Sequence, residues 1–122
     1  MNFKALIKIF VFMISLVSIQ TFAGVSQEFR TNCGGTTARI VEGVKLTQYF
    51  ADANVNRKGI YVVSSTGGVW IIPGAQNYPD NYVADEMRKI AMAAILSDMK
   101  VNLCASEAYS PNHIWAIELD AE

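Results

Sequence analysis

The chain has 122 residues, ten Lys and Arg against eleven Asp and Glu, and a hydrophobic share of 52%. That length fits a single small domain, and the near-neutral balance excludes the basic footprint of a nucleic-acid binder. Two cysteines and a single histidine, His113, also exclude the usual four-ligand metal cage.

The N-terminus predicts the compartment. Met1 to Lys8 carries Lys4 and Lys8 and no acid, Ile9 to Ile19 is almost purely apolar, and Gln20-Thr21-Phe22-Ala23 ends on a small residue. This order of charged, apolar and cleavage regions predicts a secretory signal peptide over residues 1–23, cut between Ala23 and Gly24. The apolar run is well short of the ~20 residues that span a bilayer. Residues 24–122 are then the mature domain, exported through the periplasm. It is more acidic than the precursor, because the signal lysines are lost and every acid follows residue 24. A domain this small needs reinforcement by cross-links or neighbours. In an oxidising compartment Cys33 and Cys104 are expected to form one disulfide, with a loop-entropy contribution of about 4 kcal/mol.

Along the mature chain, Ser26 to Asn32 reads as a short helix capped by Ser26 and anchored by Phe29, stopped by Gly34-Gly35. Thr37 to Val41 and Lys45 to Phe50 read as strands flanking a tight connection at Glu42-Gly43. Gly59 to Ser65 and Val69 to Ile72 form the clearest hairpin, with Thr66-Gly67-Gly68 supplying the turn. Pro73-Gly74 ends its second strand. A long helix is expected from about Asn81 to Met99. Asp80 or Asn81 would cap it, with Asp85 and Glu86 near the positive end of its dipole. Val83, Met87, Ile90, Ala91, Ala94 and Ile95 recur at helical spacing. Met92, Ala93 and Leu96 carry apolar surface further round the helix, which implies a second covering layer such as a neighbouring subunit. The alternative is that they form the edge of one broad face. Lys100 to Ala105 and His113 to Leu119 are the last strands, separated by a loop with Ser110-Pro111. Five or six short strands and one long helix in this order suit a mainly β Greek-key barrel of the oligonucleotide/oligosaccharide-binding (OB) kind. A fold of that kind licenses no function by itself.

Residues for catalysis are missing. The chain has no Gly-x-Ser-x-Gly elbow, no His-Glu-x-x-His and no phosphate-cradling glycine loop. His113 opens an apolar strand, which favours a structural role. Asp85 with Glu86 suits a helix N-terminus and Glu118 with Asp120 a solvated strand end, so neither is read as a glycosidase dyad. Thr36 and Thr37 offer adjacent hydroxyls of the kind sugar recognition uses, or they satisfy local backbone as turn threonines do. Arg57 and Lys58, in the polar stretch Asp52 to Lys58, either meet the carboxylate of a sialic acid or are ordinary solvated loop charges.

Several segments carry a resemblance. Gly59-Ile60-Tyr61-Val62-Val63-Ser64-Ser65-Thr66-Gly67-Gly68-Val69-Trp70 and Tyr78-Pro79-Asp80-Asn81 are the first two. Arg88-Lys89-Ile90-Ala91-Met92-Ala93-Ala94-Ile95-Leu96-Ser97 and Ser110-Pro111-Asn112-His113-Ile114-Trp115-Ala116 complete the set. Through them the whole chain resembles the B subunits of the type II heat-labile enterotoxins, relatives of the cholera toxin B subunit. The resemblance implies a homopentameric ring of OB barrels, in which each chain joins four identical B subunits and the long helices line a central pore. It implies that the tail of one enzymatic A subunit, an ADP-ribosyltransferase, threads that pore. The B ring, without cofactor or catalytic residue of its own, binds host gangliosides at the cell surface. The family disulfide maps onto Cys33 and Cys104, and the threonine pair of its ganglioside site onto Thr36 and Thr37. A third site threonine is Arg57 in this chain, Gly34-Gly35 replace a larger polar pair, and Ser97 matches a residue near the family pocket. The other readings are a stand-alone secreted lectin or adhesin and a secreted enzyme on the same barrel. A gene for an A subunit immediately upstream separates the first from the toxin reading, and an activity screen tests the second.

Overall fold

The computed structural model describes residues 24–73 and 81–120. The expected signal peptide over 1–23, Asp80 as a helix cap and the Tyr78-Pro79-Asp80 part of the resemblance lie outside these residues. Helix α1 spans Gln27–Gly34. It is followed by strands β1 (Arg39–Val44), β2 (Leu46–Asp52), β3 (Gly59–Ser64) and β4 (Val69–Ile72), helix α2 (Asn81–Ser97), and strands β5 (Lys100–Ser106) and β6 (Asn112–Asp120).

The six strands form one sheet in the order β1-β5-β6-β4-β3-β2. All neighbours are antiparallel except β4 and β6, so β1 and β2 at its two ends run in the same direction. These outermost strands are consecutive in the chain with Lys45 alone between them. The sheet must therefore curl until its edges meet, and β1-Lys45-β2 crosses the seam as one long bent strand. Curling also leaves fewer unpaired edge groups open to solvent.

The expected turn at Glu42-Gly43 is instead a bulge within β1. The register with β5 slips between Val41 and Val44, and Gly43 takes φ +67°, a conformation glycine reaches without a Cβ penalty. Its N–H donates to the Asn102 side chain at 3.0 Å, so the strand bends at the bulge and continues to Val44 without reversing. Helix α1 starts as expected, with the Ser26 hydroxyl accepting from Phe29 N at 3.2 Å. It does not stop on a left-handed glycine, because Gly35 has φ −79°. Its end is closed by Thr36, whose backbone N–H and hydroxyl both donate to the Cys33 carbonyl, at 3.0 and 2.7 Å. Cys33 is bonded to Cys104 in β5, which ties α1 to the sheet with a Cα–Cα distance of 5.8 Å.

The core is enclosed by the sheet and closed by α2. Val62, Ile72, Val101, Leu103 and Ile114 are fully buried under Ala84, Met87, Ala91 and Ala94 of the helix. The alanines let the helix axis approach the sheet closely. Val83, expected on this face, is 40% exposed and Ala84 takes its place, one residue round the helix from the expected stripe. Asp85 and Glu86 lie beyond the first turn of α2. They pair along the helix with Arg88 and Lys89 rather than acting on its dipole. The helix ends at Ser97, two residues earlier than expected, where Asp98 adopts φ 57°. Asp98 N–H reaches the Ile95 carbonyl at 3.4 Å and Met99 N–H the Ala94 carbonyl at 2.9 Å, the paired closing bonds of a left-handed helix terminus.

Candidate functional site

Thr36 and Thr37 lie between α1 and β1, both exposed. The Thr36 hydroxyl donates to the Cys33 carbonyl and accepts from Ala38 N at 3.1 Å. In the single chain it satisfies local backbone, and one oxygen lone pair remains for a ligand donor. The disulfide and the hydroxyl–carbonyl bond fix the position from which Thr37 projects. Beside this corner, Arg39 pairs with Glu107 of the β5–β6 loop at 3.2 Å.

Ser97 sits elsewhere. It is the last residue of α2, next to Asp98, whose carboxylate pairs with Lys45 at 2.7 Å. The Asp98 pKa is lowered, first by the hydrogen bond from Lys45 and then by its charge. Ser97 therefore lies near the middle of the β1-Lys45-β2 strand, at the Val44–Val101 end of the β1/β5 ladder. Thr36 and Thr37 precede the opposite end of that ladder, beyond the Arg39–Ala105 pair.

Arg57 lies in the β2–β3 loop, beyond the far end of the long strand. It lines a concavity of ≈560 Å³ together with Phe50, Tyr61, Lys58 and Pro111. Thr36, Thr37 and Ser97 are not among its lining residues. One chain thus does not gather the four expected residues into one cluster. Phe50 and Tyr61 are cross-strand partners on the outer face of the sheet, their rings stacked at 4.9 Å. The loop is held over them by several bonds. Arg57 Nε donates to Asp52 Oδ2 at 3.0 Å, Asn54 N to Asp52 Oδ1 at 2.9 Å, and the Tyr61 hydroxyl to the Arg57 carbonyl at 2.5 Å. Asp52 is held below the usual carboxylate range, chiefly by the Asn54 N–H and then by Arg57.

Two further titratable groups, His113 and Glu118, serve the fold. His113 stacks on Tyr109 at 3.9 Å, and burial lowers its pKa, so the neutral ring is favoured. Glu118 accepts from Ser26 N at 3.1 Å, from the Ser26 hydroxyl and from Asn102 Nδ2 at 2.9 Å. Among the described residues, no group of three or more His, Cys, Asp or Glu converges on a metal position.

Comparison with known proteins gives the family. The family described as type II heat-labile enterotoxin, B subunit, matches residues 1–122. The chain belongs to this family. The heat-labile enterotoxin IIB B chain of Escherichia coli is 64% identical over the full length of both chains. The IIA B chain of the same species is 61% identical, covering 100% of this chain and 99% of its own. B subunits are the non-catalytic, receptor-binding part of such toxins, which accords with the missing catalytic constellation. Among solved structures, human heat-labile enterotoxin in complex with a blood group A antigen analogue aligns with TM-score 0.66 at 17% identity, over 78% of this chain and 98% of its own. The GM1-bound form of the ECX AB5 holotoxin aligns with TM-score 0.64 at 24% identity, over 80% and 99%. At these identities the likeness shows a shared fold.

Of the concavity, the sequence marked Arg57 and Lys58 as candidate contacts, but its aromatic floor of Phe50 and Tyr61 was not legible. The alternation around Val62 turns Tyr61 outward, but its pairing with Phe50 depends on the β2–β3 register, which slips between Leu46 and Gln48.

Proposed function

We propose that this chain is the receptor-binding B subunit of a secreted enterotoxin. It assembles as a homopentamer of OB barrels around a central pore, binds host gangliosides and carries an ADP-ribosylating A subunit. The observation that carries this reading is the family match over the whole chain, residues 1–122. Supporting it, α2 is apolar on two sides. Ala84, Met87, Ala91 and Ala94 face the barrel, while Tyr82, Met92 and Leu96 are 67%, 45% and 80% exposed on the other side. A second layer over that face is what pore-lining helices in a ring provide. Residues 1–23 are the signal peptide and residues 24–122 the mature domain, secreted through the periplasm to act at the host cell surface.

Thr36 and Thr37 bind the glycan, with Arg57 and Ser97 contributing to it. Because one chain keeps these residues apart, a site using all of them is shared between neighbouring subunits of the ring. The test is binding of purified mature protein to ganglioside-bearing vesicles. The wild type binds, and Thr36→Ile loses binding with the oligomer mass unchanged. Loss of a single hydroxyl contact is worth about 1 kcal/mol, multiplied across linked sites by avidity. Equal binding by Thr36→Ile overturns the site, and no binding by the wild type overturns the function.

A further inference from the structure

We propose that the concavity over Phe50 and Tyr61 holds a carboxylated pyranose, with Lys58, and not Arg57, as the contact for its carboxylate. This rests on the glycan-binding reading and identifies which residue reads the sugar's charge.

The charges in the concavity are unevenly committed. Arg57 is paired through Nε with Asp52, a pair that presents N–H donors beside a carboxylate acceptor with no net charge. Its backbone is also fixed, by Asn54 O accepting from its N–H at 2.9 Å and by the Tyr61 hydroxyl. Lys58, on the same lining, has no carboxylate partner among the described residues. The concavity therefore carries one uncompensated positive charge, and Lys58 holds it. A lysine ammonium acts as a point charge that reaches a carboxylate without a fixed fork.

The rest of the lining suits a sugar ring. A pyranose presents C–H groups on its faces and hydroxyls around its rim. Phe50, Tyr61 and Ile71 offer apolar surface to the first. The Arg57–Asp52 pair offers a donor and an acceptor side by side to the second, and each sugar hydroxyl can both donate and accept. A volume of ≈560 Å³ lies within the range of small-molecule sites, which combine mostly apolar walls with a few fixed polar groups. Net positive charge together with this mixed lining favours an acidic sugar over a neutral one.

The experiment uses the assembled wild-type protein with two probes, the methyl glycoside of N-acetylneuraminic acid and its carboxyl methyl ester, which lacks the charge. Titrations followed by NMR at low and high salt give the affinity ratio of acid to ester. The wild type is expected to prefer the acid at least tenfold at low salt, and less at high salt as screening grows. Lys58→Gln, an exposed loop substitution, is expected to bring that ratio to about one and remove the salt dependence. Asp52→Asn with Arg57→Gln, which leaves the net charge unchanged, is expected to weaken acid and ester alike and keep the ratio. A ratio that survives Lys58→Gln, or that is lost in the Asp52/Arg57 variant alone, overturns the assignment. Ganglioside vesicles bound equally by wild type and Lys58→Gln, with neither glycoside bound in solution, overturn the concavity as a site while leaving the glycan-binding reading standing. A wild type that binds no glycolipid at all defeats that reading itself.

Discussion

Gly68 shows how one missing side chain positions a strand. A Cβ there would come within 2.5 Å of Trp70 Cη2 and 2.9 Å of Trp70 Cζ3. The Trp70 ring is buried in the core and has nowhere to retreat. Gly68→Ala is expected to lower stability by about 1–3 kcal/mol, the usual cost of overpacking. Gly34→Ala, with nothing within 4 Å of the added carbon, should be close to neutral. Denaturant melts of the two variants check the contrast. At the candidate site, residue-scale physics cut both ways. The composition of Thr36-Thr37 allowed either a sugar contact or a local backbone bond, and the Thr36 hydroxyl makes the local bonds. Only the family resemblance raised that pair above an ordinary turn. Arg57 was equally ambiguous in sequence. Its partner Asp52 is five residues away, across a loop whose shape depends on side chain–backbone bonds.

At the scale of elements, α1, β5 and β6 are joined by a polar network. Asn102, fully buried, donates to Glu118, accepts from Gly43 N, and shares Glu118 with the Ser26 cap. Burial raises the Glu118 pKa, but the bonds from Ser26 and Asn102 together outweigh it and leave the pKa lowered. A lowered carboxyl pKa contributes stability that is fully present above the unfolded value of about 4.3 and lost as the pH falls through the folded one. His113, lowered by burial, contributes stability present above about 6.5 and lost as the pH falls below that. Thermal melts should therefore weaken gently below pH ~6.5 and more steeply below ~4.3. Glu118→Gln is expected to lose about 1–2 kcal/mol at neutral pH and to flatten the lower limb. A steep limb retained in that variant would contradict the assignment. Helix α2 carries a separate expectation. Leu96→Asp leaves the single chain folded, since Leu96 is exposed there. In the proposed ring it would place a carboxylate in an apolar layer at a cost of several kcal/mol, so light scattering should find monomers. The elements themselves were largely legible, because hydrophobic spacing, the Ser26 cap and the Thr66-Gly67-Gly68 turn are local signals. The bulge at Gly43 and the true break at Lys45 were not. Glycine marks a turn and a bulge alike, and only the pairing of β1 with β5 decides between them.

At the scale of the whole molecule, the disulfide and the curled sheet act together. Cys33 and Cys104 are 71 residues apart in sequence, so their bond joins the start of the domain to its next-to-last strand, beside the β1/β5 ladder. Replacing both by Ser is expected to cost about 2–4 kcal/mol and to reduce the yield of assembled oligomer. Thiol titration of the denatured, unreduced wild type should find no free thiol, and reactive thiols there would refute the premise. The compartment suggested by the N-terminus made this pairing readable in advance. The curl of the sheet was suggested only by the number and order of its elements, since β1 and β2 become the two ends of one sheet through contacts remote in sequence. The central claim is that the assembled protein is a receptor-binding ring specific for sialylated glycolipid. A glycolipid array probed with the purified oligomer tests it most directly. Binding to one or more gangliosides is expected, with none to ceramide without glycan and loss of the signal in Thr36→Ile at unchanged oligomer mass. A wild-type oligomer that binds no ganglioside on the array, or a Thr36→Ile profile identical to the wild type's, would contradict it.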